Sequence, residues 1–141
     1  MLYARPRLVP LLALMASLVL APAIAGEAGA ETRAVIQRQL DAFAHDDAGA
    51  AYALAAPGIK AIFTDSATFM AMVRRQYAPV YHHRRAEFAE FSSDGDAVSQ
   101  TLTLVDDDGQ VWTALYKLAR QPDGSWLITA CLLIKAEATD A

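Results

Sequence analysis

Apolar positions change their spacing halfway along this chain. In the first half they recur at helical intervals. Ile36, Leu40 and Phe43 fall at i, i+4 and i+7, and Val35 widens the stripe. Thr32 stands where an N-cap is expected. Asp46-Asp47 ends this helix and caps a second, Ala-rich one over residues 48–56, which Pro57-Gly58 is expected to stop. Asp65 or Ser66 caps a third helix through Tyr77, with Phe69, Met72, Val73 and Tyr77 on its apolar face. Pro79 predicts an extended segment from Val80 to Arg85 that leads into a sheet.

The second half has β-type sequence divided by Asp94-Gly95, Asp108-Gly109 and Asp123-Gly124. Asp-Gly marks tight hairpins because Gly supplies the positive φ that the turn needs. Three such turns predict four antiparallel strands in a meander. A three-residue loop at Asp107-Asp108-Gly109 pairs Leu104 with Trp112, Leu102 with Ala114 and Thr103 with Thr113. This register separates apolar from polar faces, which a two-residue loop does not. The same loop type at Pro122-Asp123-Gly124 pairs Leu118 with Ile128, Tyr116 with Ala130 and Ala114 with Leu132. At Ser93-Asp94-Gly95 it pairs Phe88 with Gln100. Leu132 and Ile134 are then expected to face the helices, and Cys131 and Leu133 to lie outside beside Leu115 and Thr129. That half-apolar outer face motivates the expectation of a homodimer.

The chain opens with Arg5 and Arg7, an apolar run from Leu8 to Leu20, and the small-x-small site Ala23-Ile24-Ala25. This reads as a signal peptide over residues 1–25, with cleavage as late as residue 30 at Ala28-Gly29-Ala30. The apolar run is shorter than the roughly 20 residues a spanning helix needs. The expected location is therefore periplasmic or secreted, with no membrane attachment after cleavage. Residues 31–136 form one α+β domain and 137–141 a short tail. The net charge of −4 becomes more negative once Arg5 and Arg7 leave, which argues against nucleic acid. Cys131 is the single cysteine, so no internal disulfide forms, and its apolar surroundings predict a buried thiol.

Four phrases in order carry a resemblance: Phe69-x-Ala71-Met72-Val73-Arg74-Arg75-x-Tyr77, Pro79-Val80-Tyr81, Val111-Trp112-Thr113-Ala114-x-Tyr116, and Gln121-Pro122-Asp123-Gly124-Ser125-Trp126. They resemble the bacterial family called domain of unknown function 4864. That family is similar in turn to the nuclear-transport-factor-2-like, cystatin-like superfamily. The resemblance implies N-terminal helices packed on a curved four-stranded antiparallel meander, a cone with a pocket between helices and sheet. It brings no assigned activity.

Two places are candidates for binding. The cone interior offers Gln100, a polar residue on the apolar face beside Tyr116 and Trp112. It either orients a ligand or reaches water or the Tyr116 hydroxyl near the sheet edge. The connection from Tyr77 to Arg85 holds Tyr77, Tyr81, His82 and Arg84, with Arg74 and Arg75 one turn before. It reads as an anion site, or as a solvated connection paired with Glu87 and Glu90. Adjacent His82 and His83 point to opposite faces of an extended segment, so no metal or cofactor is expected. Asp106, Asp107 and Asp108 read as turn chemistry. The motifs of hydrolases, zinc proteases and phosphate-binding loops are missing. The expected function is a non-enzymatic module that binds a small apolar or anionic ligand or a protein. The alternatives are an isomerase, dehydratase or hydrolase in which Tyr116, Gln100 and His82 converge, and a structural subunit that only dimerises.

Overall fold

Helix α1 runs unbroken from Ala21 to Ala44 in the computed structural model, which describes residues 21–137. The leader through Leu20 and residues 138–141 of the tail lie outside the described residues. Thr32 is not a cap. It is fully buried in mid-helix, and its hydroxyl donates to the Ala28 carbonyl at 2.7 Å, the back-bond available to Thr inside a helix. No proline stands between Ala25 and Thr32, and Ala28, Ala30 and Glu31 favour the helix enough to carry it through Gly26 and Gly29, so α1 begins well before the expected cap. The added turns are packed. Ala28 is buried, and the Trp126 indole N–H donates to Glu31 at 2.9 Å, tying α1 to the last strand.

Helix α2 (Ala48–Ala53) is capped as expected, with the Asp47 carboxylate accepting from Ala50 N at 3.0 Å. It ends early because Leu54 to Ala56 pair with the sheet. Ile128 N donates to Leu54 O at 2.9 Å, and Ala56 N donates to Ile128 O at 2.8 Å. Pro57 then opens a helix instead of stopping one, standing at the start of α3 (Pro57–Ile62), where its missing N–H costs nothing. Pro79 acts likewise in α5 (Ala78–Tyr81), so the expected extended segment from Val80 is one helical turn with Val80 buried. Between them α4 (Ser66–Gln76) is capped by Asp65, which accepts from Thr68 N at 2.7 Å. Its buried residues are Phe69, Met70 and Val73, with Met72 and Tyr77 partly covered.

The strands β1 (Arg85–Asp94), β2 (Ala97–Val105), β3 (Val111–Arg120) and β4 (Trp126–Lys135) form one antiparallel sheet in sequential order, as the three turns predicted. Gly95, Gly109 and Gly124 all have positive φ. The β2–β3 register is the expected one, with Leu104 opposite Trp112, Leu102 opposite Ala114 and Thr103 opposite Thr113.

Two bulges change the rest. In β1, Phe88 faces Leu102 and Phe91 faces Gln100, with Ala89 and Glu90 accommodated between them. The hairpin before them has the two-residue loop Gly95-Asp96, not the expected three-residue loop, because Asp94 pairs with Ala97. In β4, Ile128 faces Leu118 as expected, but Ala130 faces Lys117, so Thr129 is the extra residue. From there the parity reverses. Cys131 faces Tyr116 and Leu133 faces Ala114 on the helix side, while Leu132 and Ile134 point outward, 53% and 58% exposed. The expected pairings of Tyr116 with Ala130 and Ala114 with Leu132 fail for this one reason. The core lies between sheet and helices, around Ile36, Phe43, Met70, Leu102, Leu104 and Leu118.

Candidate functional site

A cavity of about 230 Å³ lies between the helices and the second half of the sheet. Its apolar wall comes from every layer: Phe43 of α1, Ile59 of α3, Phe69, Met72 and Val73 of α4, Val80 of α5, and Ile128 of β4, with Phe63 just beyond α3. Phe69 is the hub of an aromatic cluster, its ring 6.4 Å from Phe43, 6.2 Å from Phe63 and 5.6 Å from Tyr52. The Tyr52 hydroxyl donates to Phe63 O at 2.5 Å and so holds the chain after α3 in place.

Polar groups reach the wall at few points. Among the described residues no charged side chain lines the cavity. Gln39, 4% exposed, donates from its amide nitrogen to Ala51 O at 3.4 Å. Tyr77 lies near the rim, its phenol pushed up by burial. Tyr116 is fully buried, and among the described residues its hydroxyl has no hydrogen-bond partner. The neighbouring Cys131 thiol is a weak partner whose contact falls outside strict hydrogen-bond geometry, yet it is close enough that the hydroxyl lowers the thiol against burial and the thiol adds to the rise of the phenol. Burial holds the Tyr116 phenol far above its ordinary range, so it keeps its proton. Buried hydroxyls are normally paired, which makes this one the anomaly of the interior.

Cys131 also lines the cavity, the reverse of its expected outward placement, because of the Thr129 bulge. Burial pushes its thiol up to about 12. At pH 8 a thiol of that acidity is about one part in ten thousand thiolate. Alkylation of the folded protein by iodoacetamide at pH 8 should therefore run more than about a thousandfold slower than that of a peptide cysteine and rise towards pH 12. A peptide-like rate at pH 8 would show Cys131 to be an activated thiol.

The residues singled out in the sequence do not converge. Tyr77 and Tyr116 line the cavity, whereas Gln100 and Trp112 do not. Gln100 is fully buried and fully engaged, but with neither water nor Tyr116. Its amide nitrogen donates to Thr101 O at 2.8 Å, Glu90 O at 3.2 Å and Ala89 O at 3.4 Å, and its oxygen accepts from Arg33 at 3.3 Å. It gathers the carbonyls that the β1 bulge turns inward. Trp112 donates to Asp106 at 2.9 Å, and Asp106 accepts from Asp108 N and Gln110 N as well, the turn role expected of that cluster. These bonds, Trp112 first, hold the Asp106 carboxyl below its usual range.

Tyr81, His82 and Arg84 stand on a separate, shallow groove or beside it. The Tyr81 hydroxyl and Arg74 both donate to Asp46, a residue with φ of 53°, and Arg74 covers the Tyr81 ring. The Tyr81 bond first, then Arg74, lowers the Asp46 carboxyl. Arg84 donates to Asp107 O. His82 is exposed, its ring tilted 49° to that of Tyr81 at 4.2 Å, on a groove that Asp46, Asp106, Asp107 and Asp108 also line. Carboxylates dominate that groove, so it does not suit an anion. Among the described residues no three His, Cys, Asp or Glu side chains are grouped to hold a metal ion. No helix among them is long and apolar enough to cross a membrane.

Sequence reasoning missed Gln39, Ile59, Phe63 and Cys131 as cavity residues. Gln39 had a signal, since it interrupts the apolar stripe of Ile36, Leu40 and Phe43. The other three depend on α3 and on the β4 bulge.

The fold is shared with solved proteins. One is an NTF2-like protein of unknown function from Shewanella baltica OS155, at 12% identity and a TM-score of 0.56, over 80% of this chain and 97% of that one. Another is Aln2 from a Streptomyces species, at 18% identity and a TM-score of 0.52, over 77% of this chain and 90% of that one. No curated protein gives a significant match. The profile of a domain of unknown function, DUF4864, matches residues 25–141. With helices laid on a four-stranded antiparallel meander and a cavity between them, a fold it shares with these solved proteins, this chain belongs to the DUF4864 family.

Proposed function

We propose that this protein is a non-catalytic binding module that holds a small, uncharged, mostly apolar ligand in the cavity between α4 and the sheet. The observation that carries this is the cavity itself, about 230 Å³ walled by Phe43, Phe63, Phe69, Met72 and Val73, with no charged side chain among the described residues that line it. An apolar ligand placed there would remove its surface from water, at about 25 cal/mol per Å². The catalytic alternative needs His82 and Gln100 beside Tyr116, and neither lines the cavity. The cavity itself speaks against a purely structural subunit with a filled interior. Native mass spectrometry of the protein purified without denaturation is the test. A mass excess that disappears on unfolding is expected, and an apo mass from several expression hosts would count against the reading.

Export and dimerisation belong to the same proposal. Processing after Ala25 would retain Ala28 and Glu31, both of which anchor α1, whereas processing after Ala30 would remove Ala28. Leu132 and Ile134 are exposed, and they adjoin Leu115 and Thr113 on the outer sheet face. A second copy of the chain covering this face would bury them. The same spectra should then show a dimer that Leu132→Glu converts to monomer, and a monomer for the unmodified protein at micromolar concentration would rule the dimer out.

A further inference from the structure

Gln39 brings a carboxamide to an otherwise apolar stretch of the cavity wall. It stands on α1 and is almost wholly buried, and the residues around it on the same helix face, Val35, Ile36, Ala42 and Phe43, are buried as well. Its amide nitrogen is turned to Ala51 O at 3.4 Å. That contact fixes the amide, because the reverse orientation would set two acceptors against each other. The oxygen is left without a donor among the described residues. Among them the Tyr116 hydroxyl is the one buried side-chain polar atom that is both unpaired and shut off from water. The Gln39 oxygen, also unpaired, is therefore open to a water-sized molecule. With its neighbours on α1 buried, the space it opens to is the cavity that Gln39 lines.

Resting on the binding reading above, we infer that the ligand is a small neutral aromatic compound whose hydroxyl donates a hydrogen bond to the Gln39 carboxamide oxygen, a phenol being the simplest case. Buried polar groups are normally paired, and an amide oxygen can only accept, so the missing partner is a donor. A carboxylate or an ether has no proton to give. An ammonium has, but no charged side chain among the described residues lines the wall, so it would be desolvated without a counter-charge. Phe43, Phe63 and Phe69 line the cavity with tilted and edge-on rings, surfaces that pack a further ring in the same geometries. A volume of about 230 Å³ lies below the roughly 300–1,000 Å³ typical of drug-sized ligands, which limits the occupant to about one ring with a short substituent. Tyr77 stands on the same wall, but its phenol is only partly buried and keeps water as a partner, so it does not impose the same demand.

Three probes of similar size separate the possibilities: p-cresol, anisole and benzylammonium. The first two are isomers that differ in whether the oxygen carries a proton, and p-cresol is neutral at pH 7 because phenols titrate near about 10. Each is titrated by calorimetry or ligand-observed NMR at pH 7 into refolded, ligand-free protein and into Gln39→Met, which keeps the length of the side chain and removes the carboxamide. p-Cresol should bind the unmodified protein about tenfold more tightly than anisole does, and lose that advantage in Gln39→Met. Benzylammonium should bind neither protein. Equal or tighter binding of anisole to the unmodified protein would overturn the donor assignment while leaving an apolar binding site. A p-cresol advantage that survives in folded Gln39→Met would overturn the role of Gln39. Benzylammonium binding as tight as that of p-cresol would overturn neutrality. If none of the three binds although the native protein carries a mass excess, the ligand class fails. If none binds and the native mass is that of the bare chain, the binding reading itself fails. Where Gln39→Met does not fold, the side-chain amide NMR signals of Gln39 in the unmodified protein take its place: p-cresol should move them further than anisole does, and equal shifts would overturn the assignment.

Discussion

Gln100→Glu should destabilise this fold by about 3–5 kcal/mol at pH 7 and by much less at pH 4. The substitution keeps the shape of the side chain and replaces the amide nitrogen by a carboxylate oxygen. That oxygen would face Thr101 O, Glu90 O and Ala89 O, which now accept hydrogen bonds at 2.8, 3.2 and 3.4 Å. Three carbonyl dipoles would then oppose a buried charge. Arg33 touches the other side-chain oxygen at 3.3 Å, but it is exposed and screened, so it offsets only part of the cost. The pH dependence follows from the sign of the shift. Burial raises the folded-state pKa of the introduced Glu above its unfolded value of about 4.3. Below the unfolded value both states are protonated and the charge penalty is absent. It grows as pH rises towards the folded-state value. Urea denaturation of both proteins at pH 7 and pH 4 measures the difference. An equal deficit at the two pH values would mean that lost hydrogen bonds, not charge, set the cost.

Tyr116→Phe should raise the stability of the ligand-free protein by about 1–3 kcal/mol, because it removes a buried hydroxyl without a partner and leaves the ring in place. For a domain of this size that is an upward shift of several degrees in Tm. Most core substitutions destabilise, so the sign alone is diagnostic. Calorimetric melting of refolded, ligand-free protein is the measurement. An unchanged or lower Tm would mean that the hydroxyl is satisfied in the fold, by the neighbouring Cys131 sulfur.

How much of this was legible in the residues depended on contrast between neighbouring positions. Leu102 and Leu104 alternate with Thr101 and Thr103, so the β2–β3 register follows from pattern alone. From Leu127 to Ile134 the chain is apolar on both parities apart from Thr129, and nothing in the pattern reveals that one residue is extra. The β1 bulge did leave a trace. Phe88 and Phe91 are three apart, and a regular strand would send their rings to opposite faces. Both prolines misled in the same way, since Pro57 and Pro79 were read as helix breakers and serve in first turns. The helix caps at Asp47 and Asp65 were readable because capping is local. The family was readable from its phrases, and the position of Gln100 beside Tyr116 from register. A pocket between helices and sheet followed from the resemblance, but its lining was not readable, because it depends on how α1, α3, α4 and α5 meet the sheet, and no single stretch of residues encodes that.

The extra residue in β4 has a consequence for chain length. Ile128 already faces Leu118 and Ala130 already faces Lys117. Deleting Thr129 would leave a regular strand in which Cys131 still faces Tyr116 and every later side chain keeps its side. Deleting Leu115, in a regularly paired stretch of β3, would instead exchange the interior and exterior sets of that strand beyond the cut. Circular dichroism and thiol protection of the two deletion variants would separate these cases, and equal damage would show that the local bend at Thr129 is itself required. If the bend is dispensable, this is the place where sequences in the family can differ by one residue without turning Cys131 or any later side chain to the other face, and where a gap in their alignment belongs.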